Sequence, residues 1–259
     1  MAQVEGRERS ALHSLRLLLA RAHIDCAEWS SAALHLEAVR GDELSAVAIA
    51  EVALLDAECA LGADLPGQRA VVEHQAAKAV ALAQHAADAS LICQAHLFTG
   101  RVARLRDLDD AARALQNALA VAEAGGLSYE RVRVLNELGT VEMLRDARAD
   151  RLERAYAEAS RIGAFGAAAS AGVNLASAYA MTGRHARCET LAAEVGESAE
   201  RMGIAPLAAA CELMRGIAGA FDADQVRAEQ HLQRAERLAP DDSDLHAGAW
   251  AIEIGRAHV

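Results

Sequence analysis

The sequence predicts an all-α protein in which about thirteen helices form a solenoid of antiparallel hairpins. Alanine and leucine dominate the 259 residues, whereas only three prolines occur. Apolar residues recur at helical spacing in runs of about 12 to 20 residues, and short breaks separate these runs. No stretch alternates Val, Ile or Thr with polar residues, as a half-buried strand does. Because short connections make consecutive helices antiparallel neighbours, the helices are expected to pair as hairpins.

The breaks place the predicted helices in order along the chain. The last predicted helix begins at residues 241–243, where two aspartates and a serine offer capping oxygens. The earlier breaks lie near residues 26–29, 40–42, 62–67, 87–89, 106–107, 125–128, 146, 163–164, 183, 203–206, 222–224 and 239–242.

The second helix of each predicted hairpin repeats one pattern, in which residues i, i+4 and i+7 are small or apolar. These positions share one helix face, where small side chains let two helices approach closely. The pattern starts at residues 32, 76, 111, 152, 188 and 228, so its period runs from 35 to 44 residues. A period of this length indicates a solenoid. Its members are Ala32/Leu36/Val39, Ala76/Val80/Ala83, Ala111/Leu115/Ala118, Leu152/Tyr156/Ala159, Cys188/Ala192/Val195 and Ala228/Leu232/Ala235.

The first helices carry a matching pattern that resembles the tetratricopeptide repeat (TPR). "NLASAYAMTGR" contains a Leu-Ala pair, Tyr179 three residues later and Gly183 near the turn, while "NELGTVEMLRD" contains Leu-Gly. Residues 174–195 and 216–240 match the family pattern best. The resemblance implies a right-handed superhelix. Residues 1–252 are therefore expected to form one solenoid of about six hairpins plus the first helix of a further one.

A more particular resemblance involves the second half of the chain. "DRLERAYAEASRIGAFGAAASAGVNLASAYAMTGR" and "APDDSDLHAGAWA" are similar to the helical-repeat region of large ATP-dependent LuxR-type transcriptional regulators, which are common in actinobacteria. The resemblance implies an effector- or partner-sensing segment whose ATPase and DNA-binding domains are absent from this chain. A stand-alone TPR adaptor or chaperone is the alternative function. An enzyme on a helical scaffold is a third hypothesis, but no cluster of residues supports it, so the chain is predicted not to be an enzyme.

Composition and motifs argue against several kinds of site. A net charge of −11 disfavours direct nucleic-acid binding, and no phosphate loop of the GxxxxGK[ST] type is present. No signal peptide or membrane span is expected, so the predicted location is the cytoplasm. His23 and Cys26 lie one turn apart but provide too few ligands for a metal site, and no cofactor is predicted. The cysteines are expected to be reduced: Cys26, Cys59, Cys93, Cys188 and Cys211.

Partner recognition is therefore the expected activity. First helices of TPR solenoids line a concave groove, and the predicted groove contacts are Arg133, Asn136, Thr140, Met143, Ser170, Asn174, Ser177 and Met181. This groove is mildly apolar, which suits a protein or peptide partner, or a neighbouring domain, better than a charged tail. Two alternatives stay open: these residues only pack the repeats together, or the chain forms homo-oligomers.

The last seven residues, "EIGRAHV", are expected to be a non-native tail. Back-translated, residues 253–259 correspond to a widely used sequencing adapter. They are therefore excluded from the predicted fold.

Overall fold

The computed structural model describes residues 2–26, 28–40, 43–63 and 69–240, and every regular element within these ranges is an α-helix. The predicted all-α class is confirmed, and twelve described helices agree with the prediction of about thirteen. The predicted last helix and the predicted non-native tail lie outside the described residues. The helices are α1 (Ala2–Asp25), α2 (Trp29–Glu37), α3 (Ala46–Gly62), α4 (Arg69–Ala86), α5 (Ala89–Arg104), α6 (Leu108–Ala124), α7 (Ser128–Asp146), α8 (Asp150–Arg161), α9 (Phe165–Met181), α10 (His185–Arg201), α11 (Ala205–Phe221) and α12 (Gln225–Leu238).

The chain divides into two compact units, Met1–Val134 (unit 1) and Leu135–Val259 (unit 2). In unit 1, α1 packs on α2, α3 on α4 and α5 on α6. In unit 2, α9 packs on α10 and α11 on α12, while α8 lies against α9. The first helices of successive hairpins also touch: α1 contacts α3, α3 contacts α5, and α9 contacts α11. Each unit thus has one face formed by first helices.

The repeating pattern of the second helices forms much of the core. Every member of the six triplets is buried except Val80 and Tyr156, which are half-buried against their clusters. Leu36, Leu115 and Leu152 are almost completely inaccessible to solvent. The core therefore consists mainly of alanine and aliphatic side chains, as the shortage of aromatic residues predicts.

Glycines in the first helices allow this close packing. A Cβ added at Gly139 would lie 2.8 Å from Leu152 Cγ and 2.9 Å from the Leu152 backbone nitrogen. A Cβ added at Gly100 would lie 2.5 Å from Leu115 Cγ. In both hairpins a glycine of the first helix therefore faces a buried leucine of the second helix's repeating pattern.

Left-handed residues end many of the helices. Gly183, just beyond the end of α9, has a φ of 73°. Its N–H donates to the Ala180 carbonyl, and the N–H of Arg184 donates to the Tyr179 carbonyl. This geometry satisfies carbonyl groups that the end of a helix leaves open. Three helix ends use alanine instead of glycine at positive φ, namely Ala87, Ala147 and Ala223.

Within the described ranges, no helix is both long enough and apolar enough to cross a bilayer.

Candidate partner-binding surface

Two asparagines connect successive first helices of unit 2. Asn136 lies on α7 and Asn174 on α9, 38 residues further along the chain. The Asn174 Nδ2 group donates to Asn136 Oδ1 at 3.0 Å. Asn136 is buried and Asn174 is half-buried, so the pair lies at the edge of the core. The predicted groove contacts Asn136 and Asn174 are thus brought together.

The next pair of first helices is connected at nearly the same spacing. Ser177 on α9 lies 3.1 Å from the Met214 sulfur on α11, 37 residues away, and its hydroxyl donates to the Val173 carbonyl. Met181, one turn beyond Ser177, is 57% exposed. The first-helix face of unit 2 is defined here by Asn136, Asn174, Ser177, Met181 and Met214. It carries amide, hydroxyl and thioether groups but no charge.

The other predicted groove residues occupy different environments. Thr140 and Met143 are buried, and the Thr140 hydroxyl donates to the Asn136 carbonyl at 3.0 Å. Ser170 is half-buried on α9. Arg133 belongs to unit 1, where its guanidinium lies 5.9 Å from the centre of the Tyr129 ring.

Unit 1 has a charged network that the sequence prediction missed. Arg21 on α1 donates to Glu58 Oε2 on α3 at 2.6 Å and to Gln94 Oε1 on α5 at 3.1 Å. Gln94 in turn donates to the Ser90 hydroxyl, which donates to Glu130 of α7 at 2.6 Å. This Arg21 network therefore connects four successive first helices.

A sequence signal for the Arg21 network did exist. Glu58 is a lone carboxylate between apolar residues in "AECALG", and such a residue is rarely buried without a partner. Arg21, Glu58 and Gln94 are also separated by 37 and 36 residues, close to the repeat period. A search for polar residues that recur at the period would have found them.

A second buried carboxylate, Glu212, lies in unit 2 among groups from two helices. Arg215 donates to Glu212 Oε1 at 3.1 Å, and His231 Nδ1 lies 2.7 Å from its Oε2. Arg234 lies 3.6 Å from Oε1, and Arg215 also donates to Glu189 of α10. These contacts join α10, α11 and α12, so the cluster stabilises the packing of this part of unit 2.

The histidines and cysteines are the residues to examine for a metal site or a reactive thiol. His23 contacts Glu28 and stacks on His35, but no group of three potential ligands suited to a metal ion occurs among the described residues. Burial raises the pKa of the Cys59, Cys93 and Cys188 thiols to about 11 and that of Cys211 to about 12. These four thiols are therefore protonated at neutral pH and are poor nucleophiles.

Comparison with known proteins identifies the fold. No protein-family model matches the chain, and no curated protein matches its sequence. Among solved structures, the Rap protein complexed with competence and sporulation factor matches with a TM-score of 0.69 at 12% identity, over 94% of this chain and 70% of Rap. BtubC (BKLC) from P. vanneervenii matches with a TM-score of 0.59 at 17% identity, over 87% of this chain and 90% of BtubC.

A third structural neighbour is a signal transduction ATPase with numerous domains (STAND) from Pyrococcus horikoshii, which has a tetratricopeptide repeat sensor. It matches with a TM-score of 0.59 at 17% identity, over 93% of this chain but only 38% of the ATPase. The chain therefore has a TPR-like helical-repeat fold.

Proposed function

We propose that this chain is an interaction module that binds a protein or peptide segment on the first-helix face of unit 2. The Asn136–Asn174 pair carries this proposal, because it places two amide side chains on consecutive first helices. Each amide has both donors and an acceptor, the groups that match the backbone of an extended peptide. The backbone of a bound segment would form hydrogen bonds with the two amide side chains.

The surroundings of the pair favour an uncharged partner segment. Ser177 and Met214 continue the face on α9 and α11, and Met181 is exposed beside them. Methionine side chains are flexible and polarizable, so they adapt to apolar groups of different shapes. The proposed partner therefore combines an accessible backbone with apolar side chains.

The wider context that we propose is a LuxR-type transcriptional regulator. The sequence resemblance supports it, and so does a structural neighbour that combines a TPR sensor with an ATPase. In this proposal residues 1–252 are the cytoplasmic sensing segment, residues 253–259 are not native, and the ATPase and helix-turn-helix are encoded elsewhere in the gene. The second candidate is a stand-alone TPR adaptor or chaperone that binds a peptide or partner protein. The similar fold of the Rap protein, which was solved in complex with competence and sporulation factor, supports this candidate.

Peptide selection tests the binding surface. Peptides selected from a random display library against the purified chain would be synthesised, and their dissociation constants measured with Asn174→Ala. We expect a loss of about tenfold or more, because a peptide hydrogen bond disappears and its partner stays unpaired. Asn117→Ala is the matched control, since Asn117 is exposed on α6. Selected peptides that bind Asn174→Ala and the original chain equally would overturn the proposed site.

Sequencing of the genomic locus tests the wider context. The regulator hypothesis predicts an ATPase reading frame upstream and a helix-turn-helix downstream within the same gene. Complete, unrelated genes on both sides would contradict it, and a genuine stop codon after Val259 would contradict the non-native tail.

A further inference from the structure

Three first helices of unit 2 each expose a large apolar side chain near their last turn. Leu144 of α7 is 48% exposed, Met181 of α9 57% and Phe221 of α11 65%. They are 37 and 40 residues apart, and the starts of α7, α9 and α11 have the same separations. These three side chains therefore occupy equivalent points of successive repeats, and together they are called the apolar row. In unit 1, Leu105 follows α5 in the same register and is also exposed.

The apolar row continues the first-helix face of unit 2. Met181 lies seven residues after Asn174 on α9, which is two helical turns, so both side chains are on one side of the helix. Phe221 lies seven residues after Met214 on α11, and Met214 contacts Ser177 of α9. The row is therefore next to the amide and hydroxyl groups of the proposed binding surface.

The ring of Phe221 is held by a neighbour from the following helix of the preceding hairpin. The His185 ring of α10 stacks on it, with the ring centres 4.6 Å apart and the ring planes 14° from parallel. This stack covers one side of the phenyl ring, while most of the side chain stays accessible. Exposed aromatic rings in a groove are typical receptors for proline-containing segments.

The spacing of the repeats distinguishes between the conformations that an extended partner can have. Neighbouring packed helices lie about 8–10 Å apart, and α9 contacts both α11 and, through the Asn136–Asn174 bond, α7. In a polyproline II helix, side chains return to the same side every three residues, a distance of about 9 Å. In a β-strand they return every two residues, about 7 Å. The polyproline II period thus matches the repeat.

From this match we infer that the segment bound by unit 2 is a polyproline II segment with an apolar residue at every third position. These residues pack on Leu144, Met181 and Phe221 in turn. The backbone of a polyproline II segment makes no internal hydrogen bonds, so its amide and carbonyl groups are free to bond with Asn174. An α-helical segment uses most of these groups itself. The inference rests on the proposed function, because it specifies the partner of the same surface.

A designed peptide and its scrambled form test the spacing. The probe is acetyl-LPSLPSLPS-amide, which has leucine at every third position, and the scrambled form is acetyl-LSLPLPSPS-amide, which has the same composition. The full chain would be labelled with methyl-¹³C methionine and titrated with each peptide by NMR. The probe is expected to shift the Met181 methyl signal saturably. The scrambled form is expected to bind at least about tenfold more weakly, because its leucines cannot meet successive members of the row together.

Variants of the apolar row identify the side chains that bind the probe. Phe221→Ser and Met181→Gln are each expected to weaken the probe about tenfold, since a buried apolar contact is lost. Phe165→Ser is the matched control, because Phe165 is as exposed as Phe221 but begins α9 nine residues before Asn174, on the opposite side of the helix. Circular dichroism would verify that all three variants fold.

The inference would be overturned if the probe did not bind, if the scrambled peptide bound equally well, or if Phe221→Ser and Met181→Gln bound the probe as tightly as Phe165→Ser. The Asn174→Ala test uses peptides selected without regard to spacing. If those peptides lose affinity while the probe shows no preference, the surface stands and only the polyproline II partner is wrong. Selected peptides that ignore Asn174 would contradict the proposed function itself.

Discussion

At the scale of single residues, the backbone at the helix ends contains unrelieved strain. Ala147 connects α7 to α8 with a φ of 54°, in the left-handed region where a Cβ crowds the backbone. Glycine occupies equivalent left-handed positions at residues 126, 163, 183 and 203. At Ala147 the sequence therefore has alanine where a left-handed helix cap prefers glycine.

Substitution of Ala147 by glycine should stabilise the protein. We expect the free energy of unfolding to rise by about 0.5–1 kcal/mol, because relief of strain exceeds the added entropy of the unfolded chain. Urea denaturation with an unchanged slope would measure it. Ala157→Gly, at an exposed helical position of α8, should instead lose about 1 kcal/mol. If both variants lost stability equally, the strain at Ala147 would not be real.

At the scale of helices, the contact between α7 and α8 depends on the absence of a side chain. Glycine inside a helix is less stable than alanine, because it has a lower helix propensity. At Gly139, however, Leu152 occupies the place where a Cβ would lie, and Leu152 is completely buried. A backbone nitrogen lies within 2.9 Å of the missing Cβ, so a rotamer change of Leu152 alone could not make room. Packing therefore outweighs propensity at this position.

The Gly139→Ala variant should lose about 1–3 kcal/mol of unfolding free energy, the usual cost of overpacking a dense core. Gly166→Ala on α9 is the matched comparison, because a Cβ there meets no atom within 4 Å. That variant should keep its stability or gain up to about 0.5 kcal/mol, because Gly166 lies in the first turn of α9, where helix propensity counts for less than in the interior. Thermal unfolding of the pair would show a loss for Gly139→Ala only. Stabilisation by both alanines would contradict the proposed close contact.

At the scale of the whole molecule, α1 exposes an apolar stripe to solvent. Leu12, Leu15, Leu18 and Leu19 are between 38% and 65% exposed, whereas Leu17 on the other side of the helix is 3% exposed. Contiguous exposed apolar side chains promote association between protein molecules. This stripe is therefore expected to lower solubility and to promote self-association.

Replacing Leu15 and Leu18 together by lysine should raise the solubility limit several-fold while leaving the melting temperature within about 2 °C, since neither side chain is buried. Sedimentation velocity would show whether larger species decrease. Leu17→Lys, which buries a charge in the α1 core, should instead unfold the protein or lower its melting temperature strongly. Unchanged solubility of the double variant would show that the stripe is not responsible for association.

Much of the fold could be predicted from the sequence because each helix signals itself locally. The triplet starting at Ala111 marks a buried face by spacing alone, and all three of its residues are buried. Charged contacts between repeats were harder to predict. Arg21 and Gln94 are 73 residues apart, and each resembles an ordinary surface residue when the sequence is read locally.

The candidate partner-binding surface was likewise predictable from the sequence only in part. Spacing on one helix placed Asn136, Thr140 and Met143 on a common face, but it could not rank their exposure. The structure buries Thr140 and Met143 and leaves Met181 exposed. Burial depends on the angle and distance between neighbouring helices, which the periodicity of one helix does not contain.

The sequence by itself therefore determined the all-α class, the helical hairpins and the apolar faces, because these follow from periods of three to four residues and from turn residues. Only the tertiary structure decided which polar side chains meet. The Asn136–Asn174 pair and the Arg21 network each combine residues from different helices. Their separations, of about one repeat or more, become contacts only when the hairpins stack.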